Sequence, residues 1–132
     1  MQPALRSGRG TAAIGAYYTP PDVVDFMCRE ALAAWLSGDG AIAADAAADL
    51  VRGLGADSLD MDEARRIRER LLALRAIDPA CGCGAFLVGL LRVVAEAWGA
   101  LHERLAPGAL GAPGAGSIPP TWLTAHGLHG ME

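Results

Sequence analysis

Asp78, Gly82 and Gly84 form the most suggestive constellation in the chain, a carboxylate followed closely by two glycines. They stand in the run Ala76-Ile77-Asp78-Pro79-Ala80-Cys81-Gly82-Cys83-Gly84-Ala85-Phe86-Leu87. The run reads as a short buried strand, a tight glycine turn and the opening of a long apolar helix. Such a unit leaves the helix N-terminal N–H groups free to meet a ligand, and small residues let that ligand approach the backbone closely. The spacing narrows the ligand. A dinucleotide site asks for G-x-G-x-x-G, and Leu87 stands where the third glycine belongs. An aspartate before the turn suits a ligand with positive charge and amine donors rather than a pyrophosphate.

A second segment lies upstream, Gly15-Ala16-Tyr17-Tyr18-Thr19-Pro20-Pro21-Asp22-Val23-Val24-Asp25-Phe26-Met27. By its residues it is a helix start preceded by two packing aromatics. Together, and in this order, the two segments resemble the cofactor motifs of S-adenosylmethionine-dependent N6-adenine DNA methyltransferases. The family's usual forms are G-x-Y-Y-T-P-x-x-[IV]-[VA]-x-[FL]-[ML] and D-P-A-C-G-S-G-x-F-L. The resemblance implies an α/β fold, a partial Rossmann-like methyltransferase domain with a helical N-terminal part, and S-adenosylmethionine as cofactor. It implies cofactor contacts at Tyr17, Tyr18, Thr19 and Pro20, with Thr19 at the amino-acid end. Further contacts are implied at Asp78, Pro79, Ala80, Cys81, Gly82, Gly84 and Phe86. Glu132, after the strand-like Leu128-His129-Gly130-Met131, resembles the acidic residue that holds the ribose hydroxyls; by itself it reads as a C-terminal carboxylate. Asp78 alone also reads as a strand-ending residue that caps its turn. Cys83 departs from the family's serine, which removes a hydroxyl hydrogen bond.

The family's catalytic loop, [N/D]-P-P-[Y/F], accepts the amino hydrogens of a flipped adenine and stacks on the base. The Pro-Pro pairs of this chain are Pro20-Pro21 and Pro119-Pro120, and neither has that context. The expectation is therefore an N-terminal part of a restriction–modification methyltransferase that holds cofactor but carries no catalytic residue. DNA would be met through regions absent from the chain, supplied by a missing C-terminal part or a partner subunit. The alternative is a non-catalytic cofactor-binding or assembly subunit of a split enzyme.

Bulk properties agree with one globular domain. The 132 residues are 52% hydrophobic and 20% charged, with a net charge of −4. All eleven cationic residues are arginine. An acidic chain is a poor nucleic-acid binder by itself, because phosphate neutralisation supplies most of that affinity. Cys28, Cys81 and Cys83 are an odd set, and the last two are too close in sequence for an ordinary disulfide. A zinc site needs four ligands, and only Cys28 and scattered histidines remain. No signal peptide is legible, and no run approaches the roughly twenty apolar residues of a membrane span. The expected location is cytoplasmic, with no membrane partner.

Periodicity and punctuation predict the helices and strands around these segments. Residues 1–14 read as a flexible N-terminus. Residues 15–74 read as a helical region carrying the first motif and a connector without chemistry, and 75–132 as the start of the Rossmann-like domain. Thr19 is the expected N-cap of a helix bearing Val24, Met27, Cys28, Ala31, Leu32 and Trp35 on one face, stopped by Gly38-Asp39-Gly40. Ala41 to Leu54 predicts a second helix. Asp60 to Glu63 predicts a capped start for a third, with Ala64, Ile67, Leu71 and Leu74 apolar and its arginines solvated. Leu87, Leu90, Leu91, Val94, Trp98, Leu101 and Leu105 predict a long fourth helix ended by Pro107. His102 reads as a residue of that helix's surface.

Overall fold

The computed structural model describes residues 18–108 and 128–130. Along the chain run α1 (Pro21–Ser37), α2 (Ala44–Val51), α3 (Met61–Ala73), β1 (Ala76–Asp78), α4 (Ala85–Leu105) and β2 (Leu128–Gly130).

α1 starts one residue later than the Thr19 cap predicts. Pro20 is the N-cap and Pro21 the first helical residue, and no side chain caps the helix. Proline is at home there because its missing N–H is one the first turn would leave unbonded. The far end stops at Gly38, as the glycines predict. Arg70 closes that end: its guanidinium donates to the Trp35 and Leu36 carbonyls, pairs with Asp39, and lies 5.9 Å from the Trp35 ring centroid. The buried edge of α1 is Val24, Cys28, Leu32 and Leu36, a strict i, i+4 row. Met27 and Trp35, expected on that face, are exposed.

α2 is shorter than its alanine-rich run predicts, but Ala46, Ala47, Leu50 and Val51 are all buried. α3 opens on the expected capping box. Asp60 Oδ1 accepts from the N–H groups of Asp62 at 2.8 Å and Glu63 at 2.7 Å, and Glu63 Oε2 accepts from the Asp60 N–H at 3.0 Å. Three backbone donors at the helix start are thereby satisfied. Asp60→Ala is expected to cost about 1 kcal/mol, with Asp60→Asn retaining most of the stability. Thermal denaturation of the two variants checks this, and an unchanged midpoint for Asp60→Ala would remove the cap from the account. Ala64, Ile67, Leu71 and Leu74 are buried as predicted.

α4 is the helix the others pack on: α1, α2 and α3 all contact it. Val93, Val94, Ala97 and Leu101 are its fully buried residues, while Leu87, Leu90, Leu91, Trp98 and Leu105 are partly buried against the same core. Gly89 sets how close α1 comes, since a methyl group there would lie 2.7 Å from Val24 Cγ1 and 3.2 Å from Cys28 Sγ. By length and a mean hydropathy of 1.4, α4 also meets the criterion for crossing a membrane, contrary to the expectation that no run comes near it. Four of its residues, Val93, Val94, Ala97 and Leu101, are buried against the other helices, and core helices also pass this test.

The expected α/β, Rossmann-like class is corrected. The described residues are mostly helical, and their strand content is one parallel pair of three-residue strands, Ala76 opposite Leu128, Ile77 opposite His129 and Asp78 opposite Gly130. A parallel sheet of the expected kind buries its strands on both faces. Here Ile77, the centre of β1, is 63% exposed, so the buried core strand of the sequence reading is a short surface ladder. The core is built helix on helix instead, and among the described residues it contains no buried polar or charged residue.

Candidate functional site

The second motif folds as strand end, turn and helix start. Asp78 closes β1, and its Oδ1 accepts from the Ala80 N–H at 3.0 Å, an aspartate turn that reverses the chain. The Gly84 N–H then donates to the Cys81 carbonyl at 2.7 Å. Gly82 and Gly84 take φ of +49° and +80°, the left-handed conformations that glycine adopts without steric cost. Gly84 is the N-cap of α4 and offers no side chain to its first turn. The opening N–H groups of that helix are therefore left for other partners.

Asp78 carries the site's one polar irregularity. Its Oδ2 is shielded from solvent and has no hydrogen-bond partner among the described residues. A shielded carboxylate oxygen without a donor is costly, and a bound donor would relieve it.

The first motif reaches the same place through α1. Cys28 Sγ donates to the Phe86 carbonyl at 3.5 Å, and Val24 and Cys28 pack directly on the bare backbone of Gly89. Between the two motifs lies a cavity of about 350 Å³. Met27, Cys28 and Ala31 of α1, Ala76 to Pro79, and Phe86, Leu87 and Leu90 of α4 line it. Its volume falls at the lower end of the range for small-molecule sites, about 300–1,000 Å³. Burial pushes the Cys28 thiol up, aided by the Asp25 carboxylate and opposed by Arg92 and Arg29, so Cys28 presents a neutral wall.

Of the residues expected at the site, Asp78, Pro79 and Phe86 meet at this cavity. Ala80, Cys81, Gly82 and Gly84 form the turn beside it without lining it. Tyr18, Thr19 and Pro20 lead into α1 and are not part of the lining either; Tyr18 is 75% exposed. Tyr17 and Glu132 lie outside the described residues. Met27, Cys28 and Ala31 went unread as site residues because they looked only like a packing stripe.

A larger cavity, about 410 Å³, lies between α3 and α4, away from both motifs. Arg68 sits there with its guanidinium 5.8 Å from the Trp98 ring centroid. His102, expected at the surface, has a buried Nδ1 with no partner among the described residues. The sequence reading gives α3 no chemistry and places that of α4 only at its opening residues. Set beside protein-family models, curated proteins and solved structures, the chain finds no match in any of the three.

Proposed function

We propose that this chain supplies the cofactor-holding part of an S-adenosylmethionine-dependent adenine DNA methyltransferase. The observation that carries the reading is Asp78 Oδ2, a shielded and unpartnered acceptor in the cavity where the two motif-bearing segments meet.

The residues present fit the group. A carboxylate favours a ligand that brings ammonium and amine donors, and a charge-assisted hydrogen bond to it is about twice as strong as a neutral one. Met27, Phe86, Leu87 and Leu90 give apolar walls to a flat or alkyl moiety. Gly82 and Gly84 add no Cβ to the turn, and space lies open where one would stand. S-adenosylmethionine, when bound, supplies a methyl group activated for direct displacement. In this reading Asp78 accepts the cofactor's donors, the cavity walls orient it, and the α4 N-terminus faces it with unbonded N–H groups. Recognition of DNA and acceptance of the adenine amino hydrogens belong to segments or a partner chain beyond these motifs.

Calorimetric titration of the full chain with S-adenosylmethionine tests the proposal. Asp78→Ala is expected to weaken binding at least tenfold, which corresponds to about 1.4 kcal/mol. Thr19→Ala, off the cavity lining, is expected to have a smaller effect. Equal affinity for parent and Asp78→Ala, or no binding by the parent, would sink the assignment. In a methylation assay with labelled cofactor, the chain alone is expected to give no turnover.

A further inference from the structure

Cys81 and Cys83 flank Gly82 in the turn between β1 and α4. Both thiols are free, Cys83 exposed and Cys81 half-buried. As a bare sequence the pair is too close for an ordinary disulfide, but the turn changes the geometry. Because the Gly84 N–H closes onto the Cys81 carbonyl, Cys81 and Cys83 are the first and third residues of a hydrogen-bonded turn. Two extended residues span about 7 Å, and a turn shortens that span. The turn thus brings the two cysteines toward the Cα separations of disulfides, which reach about 6.8 Å. Gly82 between them has open space on its side-chain face and φ of +49°, so the middle of the loop is unencumbered when the ends draw together.

We propose that Cys81 and Cys83 form a reversible dithiol–disulfide pair, a modification site for low-molecular-weight disulfides. The exposed Cys83 sulfur, as thiolate, attacks one sulfur of the small disulfide. A mixed disulfide forms, and the first small thiol leaves, taking up the proton Cys83 lost. The Cys81 thiolate then attacks the Cys83 sulfur, which forms the Cys81–Cys83 bond and releases the second small thiol with the proton from Cys81. Two cysteine thiols are oxidised, and one small disulfide is reduced to two thiols. A bridge closing so small a ring, at an exposed position, belongs to the labile class that reductants reopen readily.

Cys28 provides an internal control. It is 5% exposed and burial pushes its thiol up, so it lacks both the access and the thiolate that exchange needs.

The pair is tested on the full chain without reference to S-adenosylmethionine, so its failure is separate from that of the cofactor site. The protein is incubated with oxidised glutathione, quenched by alkylation and cut with trypsin. Residues 76–92 form one tryptic peptide containing Cys81 and Cys83 but not Cys28. That peptide is expected to lose two hydrogens and resist alkylation, and dithiothreitol should restore both thiols. Cys81→Ser and Cys83→Ser should each stop at the stable glutathione adduct on the remaining cysteine. A parent peptide that stays fully alkylatable, accumulates stable glutathione adducts, or links to Cys28 or to a second chain would overturn the proposal.

Discussion

Gly89→Val is expected to lower the thermal midpoint of this protein by about 5–10 °C, the effect of roughly 2 kcal/mol in a domain of this size. Two opposed effects act at the position. A glycine inside a helix costs about 1 kcal/mol relative to alanine, so any side chain recovers part of that. Against it, even the first carbon would stand 2.7 Å from Val24 Cγ1 and 3.2 Å from Cys28 Sγ. Val24 is β-branched and stiff at χ1, and it is itself buried, so it has little room to turn away. Overpacking of this kind costs about 1–3 kcal/mol, and more as the group grows. For Gly89→Ala the two effects nearly cancel; for valine the clash wins. Val24→Ala should reveal the contact directly, because it clears the space an added methyl needs. The Gly89→Ala, Val24→Ala pair is expected to show a favourable coupling of about 0.5 kcal/mol or more in a double-mutant cycle. A Gly89→Val protein as stable as the parent would mean that α1 and α4 do not approach as described.

The same contact shows which parts of the molecule were legible in the sequence. α3 was readable because its determinants are local: Asp60 and Glu63 cap within one turn, and the apolar row from Ala64 to Leu71 repeats at helical spacing. The Asp78 turn was readable for the same reason, since left-handed glycines and an aspartate turn are settled within a few residues. Burial was not legible where it depends on distant partners. Ile77 looks like a core strand residue, yet nothing covers it among the described residues, and it is largely exposed. The α/β expectation came from the motif at this strand, whereas a sheet is a non-local object, and one short parallel pair does not make it. On α1, the spacing could not decide between Met27 and Leu36 as part of the buried row, because either lies within a turn of the same stripe. α4 carries two glycines, and only Gly89 stands at a close approach, since the side-chain face of Gly99 is open; which of them a neighbouring helix meets depends on that distant partner.

Arg29 ties that α1–α4 pair to the end of α2, and its removal is the second large effect expected. Its Nε pairs with Asp25 at 2.8 Å and its Nη2 with Glu96 at 2.7 Å, while its Nη1 donates to the carbonyl of Val51, the last residue of α2. Exposed ion pairs contribute about 0–1 kcal/mol. Arg29 differs in that its side chain is only 18% exposed and three acceptors from three helices meet it. Its loss leaves the Val51 carbonyl without this donor, while Asp25 keeps Arg92 and Glu96, 42% exposed, stays hydrated, so Arg29→Ala is expected to cost about 1–2 kcal/mol in denaturant unfolding at neutral pH. Arg29→Met, which keeps the apolar stem, should recover part of that. The pH dependence separates charge from packing. The hydrogen bond from Arg29, with the charges of Arg29 and Arg92, holds the Asp25 carboxyl below its ordinary value of 3.8, although partial burial acts the other way. A carboxyl lowered in the folded state stabilises it above the unfolded pKa, and that contribution is lost as pH falls through the lower, folded value. The parent should therefore lose stability in the acid range below 3.8. In Arg29→Met the Asp25 share of that loss should shrink, leaving a shallower acid limb, with Arg92→Met flattening it further. Unfolding curves for the parent and the two methionine variants at neutral and acid pH give the comparison. Equal stability and equal acid slopes in all three would remove this cluster from the forces that hold α1 against α4.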